Sequence, residues 1–202
     1  YNGSSMATHS RENILLPQEL LVVTDIESDG PIPGAHSMLS IGAVATDLTS
    51  IYDEFTINLE ALPHATQHPD TMKWWSEHPD VWEAIHIQPE TPQAAMGRFA
   101  QWLATFDRTL LFASQPDTYD YPFIAWYFWH TEIDNPFTTE TGGPRTLDVR
   151  SFTAGALNLP YSLSGWRHLP SEFRADTVHT HNPIDDARQA AAILSRLHKP
   201  NN

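Results

Sequence analysis

The 202-residue sequence contains no cysteine, which excludes disulfide bonds and thiolate metal ligands. A metal ion would therefore need oxygen or imidazole ligands. Apolar runs long enough to cross a bilayer, roughly 18 to 20 residues, are also missing, as is the apolar core of a signal peptide. We expect a cytoplasmic protein without a membrane partner.

Basic residues are scarce: 11 Lys and Arg stand against 25 Asp and Glu, a formal net charge of −14. A protein that grips long nucleic acid usually has a basic surface, because neutralising phosphates drives that binding. Three interpretations stay open. The substrate is short or held at its end by metal ions, the few basic residues cluster near the site, or nucleic acid is not the substrate. Candidates for a basic path are Lys73, Arg145, Arg167 and Arg174.

The length and the 41% hydrophobic content predict one well-packed domain. We expect residues 1–10 to be an added or disordered N-terminal segment and residues 11–200 to form the single domain.

A short apolar run, Leu20–Val23, predicts a buried strand that carries Asp25 and Glu27 at its end. Two residues apart on an extended backbone, both carboxylates point to the same face. Such a pair repels unless a cation or a proton lies between its members, and Mg²⁺ or Mn²⁺ favours oxygen ligands. The alternative is solvated turn chemistry, since Ser28, Asp29 and Gly30 supply a turn.

Other stretches predict an alternation of strands and helices. A hairpin-length connection at residues 47–50 makes the second and third strands antiparallel neighbours. The predicted elements are strands at Met38–Thr46, Ile51–Leu59 and Thr109–Ala113, two short helical pieces within Thr71–Ile87, and helices at Thr91–Phe106, from about Asp120 to His130, from Thr146, and from Pro183 to about Leu197. Thr146 and Asp148 are interpreted as helix caps.

Two more motifs supply candidate ligands. Asp120 follows a strand at the start of a helix, where open α/β sheets gather their sites, and Asp117 competes with it as a cap or turn residue. Asp186 lies in the first turn of the last helix, preceded by His181. That pairing suits a fixed ligand and a movable base, although an acidic residue in the first turn also stabilises the helix dipole.

These motifs resemble, in order and context, the DEDDh 3′ to 5′ exonucleases, which include ribonuclease T, oligoribonuclease and the proofreading domains of DNA polymerases. The motifs are Asp25 and Glu27 on a strand, Tyr119–Asp120 after a strand, and His181 five residues before Asp186. The segment Thr71–Trp75 is similar to one in some phage-type members. The sequence departs from the family pattern at Gln115, where Asn is frequent, and at Pro183, where Ala is common.

The resemblance implies an α/β, ribonuclease H-like fold with a mixed sheet of about five strands flanked by helices on both faces, the second strand antiparallel to the first. It also implies that Asp25, Glu27, Asp120 and Asp186 hold two Mg²⁺ or Mn²⁺ ions, with His181 as the general base. Two such ions activate water and stabilise the leaving 3′ oxygen, and imidazole titrates near neutral pH.

The implied function is hydrolysis of phosphodiester bonds from the 3′ end of single-stranded RNA or DNA, releasing nucleoside 5′-monophosphates. We expect substrate contacts from Ile26, Met38, Leu39 and Trp74, which could wedge or stack terminal bases. A homodimer is left open. The alternatives are a diesterase restricted to short oligonucleotides and a non-catalytic nucleic-acid or protein-binding module of the same fold.

Overall fold

The structure, a computed structural model, describes residues 14–174 and 180–198. The N-terminal segment 1–10 that was predicted to precede the domain lies outside the described residues, and so do parts of the predicted domain range 11–200. None of the helices within the described residues is long and apolar enough to cross a membrane.

A five-stranded mixed sheet forms the centre of the fold, as the resemblance to DEDDh exonucleases implied. Its order is β3-β2-β1-β4-β5. The central strand pairs antiparallel with β2 and parallel with β4, β2 pairs antiparallel with β3, and β4 pairs parallel with β5. The strands are β1 Glu19–Ser28, β2 Met38–Thr46, β3 Ile51–Asn58, β4 Thr109–Ser114 and β5 Thr146–Asp148.

Six α-helices accompany the sheet within the described residues. Proline occupies the first turn of α1, α2 and α3, where its missing N–H costs no helical hydrogen bond. The His78–Pro79 step separates α1 from α2, which correspond to the two short helical pieces predicted within Thr71–Ile87. The helices are α1 Pro69–Ser76, α2 Pro79–Ala84, α3 Pro92–Leu103, α4 Asp117–His130, α5 Val149–Leu157 and α6 Pro183–His198.

Side chains of β1 alternate between two cores, one on each face of the sheet. Leu20 and Val22 pack in a cluster with residues of α3 and α4, such as Phe99. Leu21 and Val23 pack in a second cluster with α5 and α6. The prediction of helices on both faces is therefore confirmed, and the odd-numbered residues of β1 face α6.

The segment that starts at Thr146 was predicted to begin a helix, and this prediction was wrong. Thr146 to Asp148 are extended because they pair with β4, Thr146 lying opposite Phe112. Thr146 is not a cap: its hydroxyl donates to Asp117 Oδ2 at 2.9 Å. Asp148 is the predicted N-cap, accepting from the Ser151 amide at 2.6 Å, and the helix begins at Val149.

Candidate active site

Strand β1 carries Asp25 and Glu27 within its length, because β1 extends to Ser28 rather than ending near Val23. Both side chains are half-buried and lie on the face that α6 covers. Their partners in β2 are small: Asp25 lies opposite Gly42, and Glu27 lies opposite Ser40. No bulky side chain of β2 therefore lies directly beside either carboxylate.

Gly42 permits the close approach of α6. A Cβ atom at this position would overlap the carbonyl carbon of Pro183 and the backbone nitrogen of Ile184. The first turn of α6 thus lies directly on the strand beside Asp25. This contact brings residues from the end of the chain to the carboxylates of β1.

Within that first turn, Asp186 and not Asp185 faces the site. Asp186 is 7% exposed and lines a cavity together with Asp25. Asp185 is half-buried and forms an ion pair with Arg188 at 2.9 Å. The side chain of Asp186 accepts a hydrogen bond from the Thr180 amide at 3.3 Å, which connects α6 to the segment that carries His181.

Asp120 is brought to the same place by α4, and Asp117 is not. Asp120 is 3% exposed, and its Oδ2 atom has no hydrogen-bond partner among the described residues. The carboxylate of Asp117 accepts from Thr146, and its amide donates to Asp148 Oδ2 at 3.1 Å. Asp117 therefore ties the start of α4 to β5.

His181 has a left-handed backbone conformation, with a φ of 58°. Its ring packs edge-on against Trp74 at 4.7 Å and His78 at 5.0 Å between centroids. One ligand atom each from Glu27, His181 and Asp186 lie within 4.8 Å of one another, so these three side chains could hold a metal ion. The ring contacts with Trp74 in α1 and with His78, between α1 and α2, support the imidazole of His181.

The electrostatics of the carboxylates follow from their crowding. Burial, and then the charges of Asp120, Glu27 and Asp186, raise the pKa of Asp25 well above its ordinary value. Burial and the charges of Asp186 and Asp120 do the same to the pKa of Glu27. Burial also raises the pKa of Asp120 to about 8. Such a group accommodates either protons or cations, and carboxylate oxygens are the ligands that Mg²⁺ and Mn²⁺ prefer.

Two cavities adjoin the carboxylates. The first, here called the aromatic cavity, has a volume of about 460 Å³, and its lining includes Glu27, Trp74, Trp75 and Tyr119. Trp75 Nε1 donates to the Ser28 carbonyl at 2.9 Å, and the Tyr119 hydroxyl lies 2.7 Å from Ser28 Oγ, so both rings are fixed to the end of β1.

The second, here called the arginine cavity, has a volume of about 330 Å³. Its lining includes Asp25, Asp186, Arg150 and Arg167. The four-carboxylate group therefore has an aromatic cavity beside Glu27 and a cavity with two arginines beside Asp25 and Asp186.

The predicted substrate-contacting residues are placed differently from one another. Trp74 is half-buried and lines the aromatic cavity beside Glu27. Ile26, Met38 and Leu39 are buried, at 4%, 0% and 1% exposure, and belong to hydrophobic clusters. Contact between these three side chains and a substrate would require them to move.

Three residues of the site were not predicted from the sequence. His78 could have been suggested by its spacing from Trp74, because residues four apart at a helix end lie side by side. Tyr119 belongs to the sequence motif only as the neighbour of Asp120. Arg150 carries no local signal, because its position beside the carboxylates depends on how α5 and the following loop return to the sheet.

Comparisons with known proteins bear on this arrangement. The chain matches no family model. The nuclease domain of 3′hExo, a DEDDh family member bound to rAMP, superposes with a TM-score of 0.65 at 11% identity, over 88% of this chain and 90% of that one. The Escherichia coli ExoI–ssDNA complex with bound zinc gives a TM-score of 0.64 at 15% identity, over 87% of this chain and 39% of that one. The chain therefore has the ribonuclease H-like fold of DEDDh exonucleases.

A curated relative makes the likeness more specific. The 3′-5′ DNA exonuclease Cap18 of Escherichia coli is 28% identical over 188 residues, covering 90% of this chain and 93% of the relative. The resemblance to DEDDh 3′ to 5′ exonucleases and the predicted class, a nuclease hydrolase, are confirmed.

Proposed function

We propose that the protein removes nucleoside 5′-monophosphates from the 3′ end of single-stranded nucleic acid, using two divalent ions. The observation that carries this proposal is the convergence of Asp25, Glu27, Asp120 and Asp186, from three distant parts of the chain, beside His181. The relative Cap18 is named a DNA exonuclease, so DNA is the first substrate to test.

The donor set fits Mg²⁺ or Mn²⁺. Four carboxylates balance the charge of two such ions, and every proposed ligand is a hard oxygen donor. The buried Oδ2 of Asp120, which lacks a hydrogen-bond partner among the described residues, is accounted for by a cation. When bound, two ions lower the pKa of water and stabilise charge on the leaving 3′ oxygen.

The residues of the chain then have separate roles. His181 accepts the proton of the attacking water, because its imidazole lies beside Glu27 and Asp186 and is oriented by Trp74 and His78. The aromatic cavity takes the terminal nucleoside, with the base against Trp74. Trp75 and Tyr119, both hydrogen-bonded to Ser28, form the fixed wall of this cavity.

A length series tests the proposal: 5′-labelled DNA and RNA, from dinucleotides to long oligonucleotides, incubated with Mg²⁺, Mn²⁺ or EDTA. We expect a ladder that shortens from the 3′ end with either ion and stops in EDTA. The Asp186→Asn variant is the control for contaminating nucleases and should be inactive. Cleavage confined to the shortest substrates would replace the proposal with an oligonucleotide diesterase, and binding without cleavage would replace it with a binding module.

A further inference from the structure

We propose that the arginine cavity binds the phosphodiester on the 5′ side of the scissile bond, through Arg150 and Arg167. This inference rests on the proposed function. It assigns the two sides of the carboxylate group to the two directions of the strand. The terminal nucleoside occupies the aromatic cavity, and the strand leaves through the arginine cavity.

Arg150 is held in place before any substrate arrives. Its Nε donates to the Tyr161 carbonyl at 3.2 Å, and its guanidinium lies 4.4 Å from the centre of the Tyr161 ring. The guanidinium also lies near Gly165, close enough that a Cβ atom added there would be in van der Waals contact with it. A planar guanidinium fixed in this way keeps its remaining N–H donors available for a phosphate oxygen.

Arg167 lines the same cavity from the segment that follows α5. Its guanidinium carbon lies 4.9 Å from the centre of the Trp166 ring, and the residue is exposed. Within residues 14–174 and 180–198, no ion pair joins Arg150 or Arg167 to a carboxylate. In a protein of net charge −14, two arginines that line one cavity and form no ion pair within the described residues indicate an anionic ligand.

The charged residues that line the two cavities indicate which part of the strand each cavity binds. Among the described residues, the aromatic cavity is lined by no lysine or arginine, which suits a terminal nucleoside because its one phosphate is the scissile group. The strand on the other side of that group continues with a phosphate at every nucleotide. The arginine cavity borders Asp25 and Asp186, which hold the scissile phosphate in the proposed function. A second phosphate bound in this cavity would therefore be the next one along the strand.

Two substrates separate this role from the chemistry. The p-nitrophenyl ester of thymidine 5′-monophosphate contains the scissile phosphate and a terminal nucleoside but no phosphate beyond them. A trinucleotide contains both phosphates. Steady-state kinetics on each are measured for Arg150→Gln and Arg167→Gln. The matched control is Arg108→Gln, since Arg108 lies 4.7 Å over the Tyr52 ring and hydrogen-bonds to it, far from the site.

We expect each of the two variants to raise KM for the trinucleotide about tenfold, the effect of losing one charge-assisted hydrogen bond, while the ester is hydrolysed as by the wild type. Arg150→Lys should recover part of the loss. A trinucleotide with an uncharged methylphosphonate at the second linkage should lose the same factor with the wild type, and the variants should not distinguish it from the normal trinucleotide.

Equal losses on both substrates would overturn the inference, because they would mean that the arginines only balance the carboxylates or support the loop. Unchanged kinetics on the trinucleotide would overturn it as well. Failure of the wild type on both substrates would count against the proposed function itself.

Discussion

Asp120 illustrates how single residues of this site trade stability for chemistry. Burial raises the pKa of its carboxyl group to about 8 in the folded protein, against about 4 for an exposed Asp. The metal-free folded state therefore binds a proton more tightly than the unfolded chain does. Protonation of Asp120 therefore favours the folded state. This contribution to the free energy of unfolding is complete at pH values below about 4 and is lost as the pH rises towards 8.

The first prediction is that Asp120→Asn stabilises the metal-free protein at pH 8. Asparagine cannot ionise, so the loss of stability with rising pH becomes smaller. We expect the melting temperature in EDTA to rise by several degrees, since one kcal/mol corresponds to about 2–4 °C in a protein of this size. Near pH 4 the wild type and the variant should melt together, and Mn²⁺ should raise the melting temperature of the wild type alone.

Asp185→Asn is the matched control, because the half-buried Asp185 forms an ion pair with Arg188 and does not belong to the group of four carboxylates. It should not stabilise the metal-free protein at pH 8. An equal gain for Asp120→Asn at both pH values would contradict the electrostatic explanation and would indicate better packing instead.

The second prediction separates His181 from the carboxylates. Asp25→Asn and Asp186→Asn remove ligand charge, so both metal binding and hydrolysis should be lost. His181→Ala should bind Mn²⁺ and oligonucleotide almost normally while cleaving about 10² to 10⁴-fold more slowly, the usual contribution of a general base. Calorimetric Mn²⁺ titration and single-turnover cleavage give the two measurements. If His181→Ala also lost Mn²⁺, the imidazole would have to be reassigned as a ligand.

At the scale of elements, the approach of α6 to β2 determines whether the site exists. The helix carries Asp186, and the strand beneath it has Gly42 opposite Asp25. The ion pairs of Arg188 with Glu54 and the hydrogen bond from Ser195 to the Leu48 carbonyl fasten the rest of α6 to the β2–β3 hairpin. The helix therefore cannot tilt freely to relieve a clash at its first turn.

The third prediction is that Gly42→Ala impairs catalysis through α6. The new methyl group would meet backbone atoms of Pro183 and Ile184, which cannot rotate away as a side chain can. A displacement of Asp186 by about 1 Å should lower cleavage roughly 10²-fold and weaken Mn²⁺ binding. Gly97→Ala is the control, because nothing lies within 4 Å of the added atom. It should leave cleavage intact and stabilise α3 by about 0.5–1 kcal/mol.

Sequence patterns predicted most elements because each has a local cause. The apolar runs of β1, β2 and β4 and the prolines that open α2 and α3 act over a few residues. The short strand β5 was not predicted, because its conformation comes from pairing with β4 rather than from its own residues. The same limit applies to the site: the carboxylates lie in local motifs, whereas Arg150 reaches the cavity through a tertiary path.

At the scale of the whole molecule, the net charge is −14, and the few basic residues differ in whether they have partners within the protein. Arg188 and Arg98 are paired with acidic side chains. Arg145, one of the residues predicted for a basic path, donates hydrogen bonds to the carbonyl oxygens of Leu110 and Pro136. Arg150 and Arg167 are the two arginines that line the cavity beside Asp25, so few phosphates should be neutralised when a strand binds.

The last prediction is a shallow dependence of binding on salt. Each neutralised phosphate of a single strand contributes about −0.7 to the slope of log K against log salt, so two arginines give about −1.4. The measurement is fluorescence anisotropy of a long oligonucleotide with the His181→Ala protein in Mg²⁺, over a series of salt concentrations. Replacing both Arg150 and Arg167 by Gln should bring the slope close to zero, and Arg108→Gln should leave it unchanged. A slope several times steeper would mean that the strand follows a longer basic path, with Lys73 and Arg174 the next residues to replace.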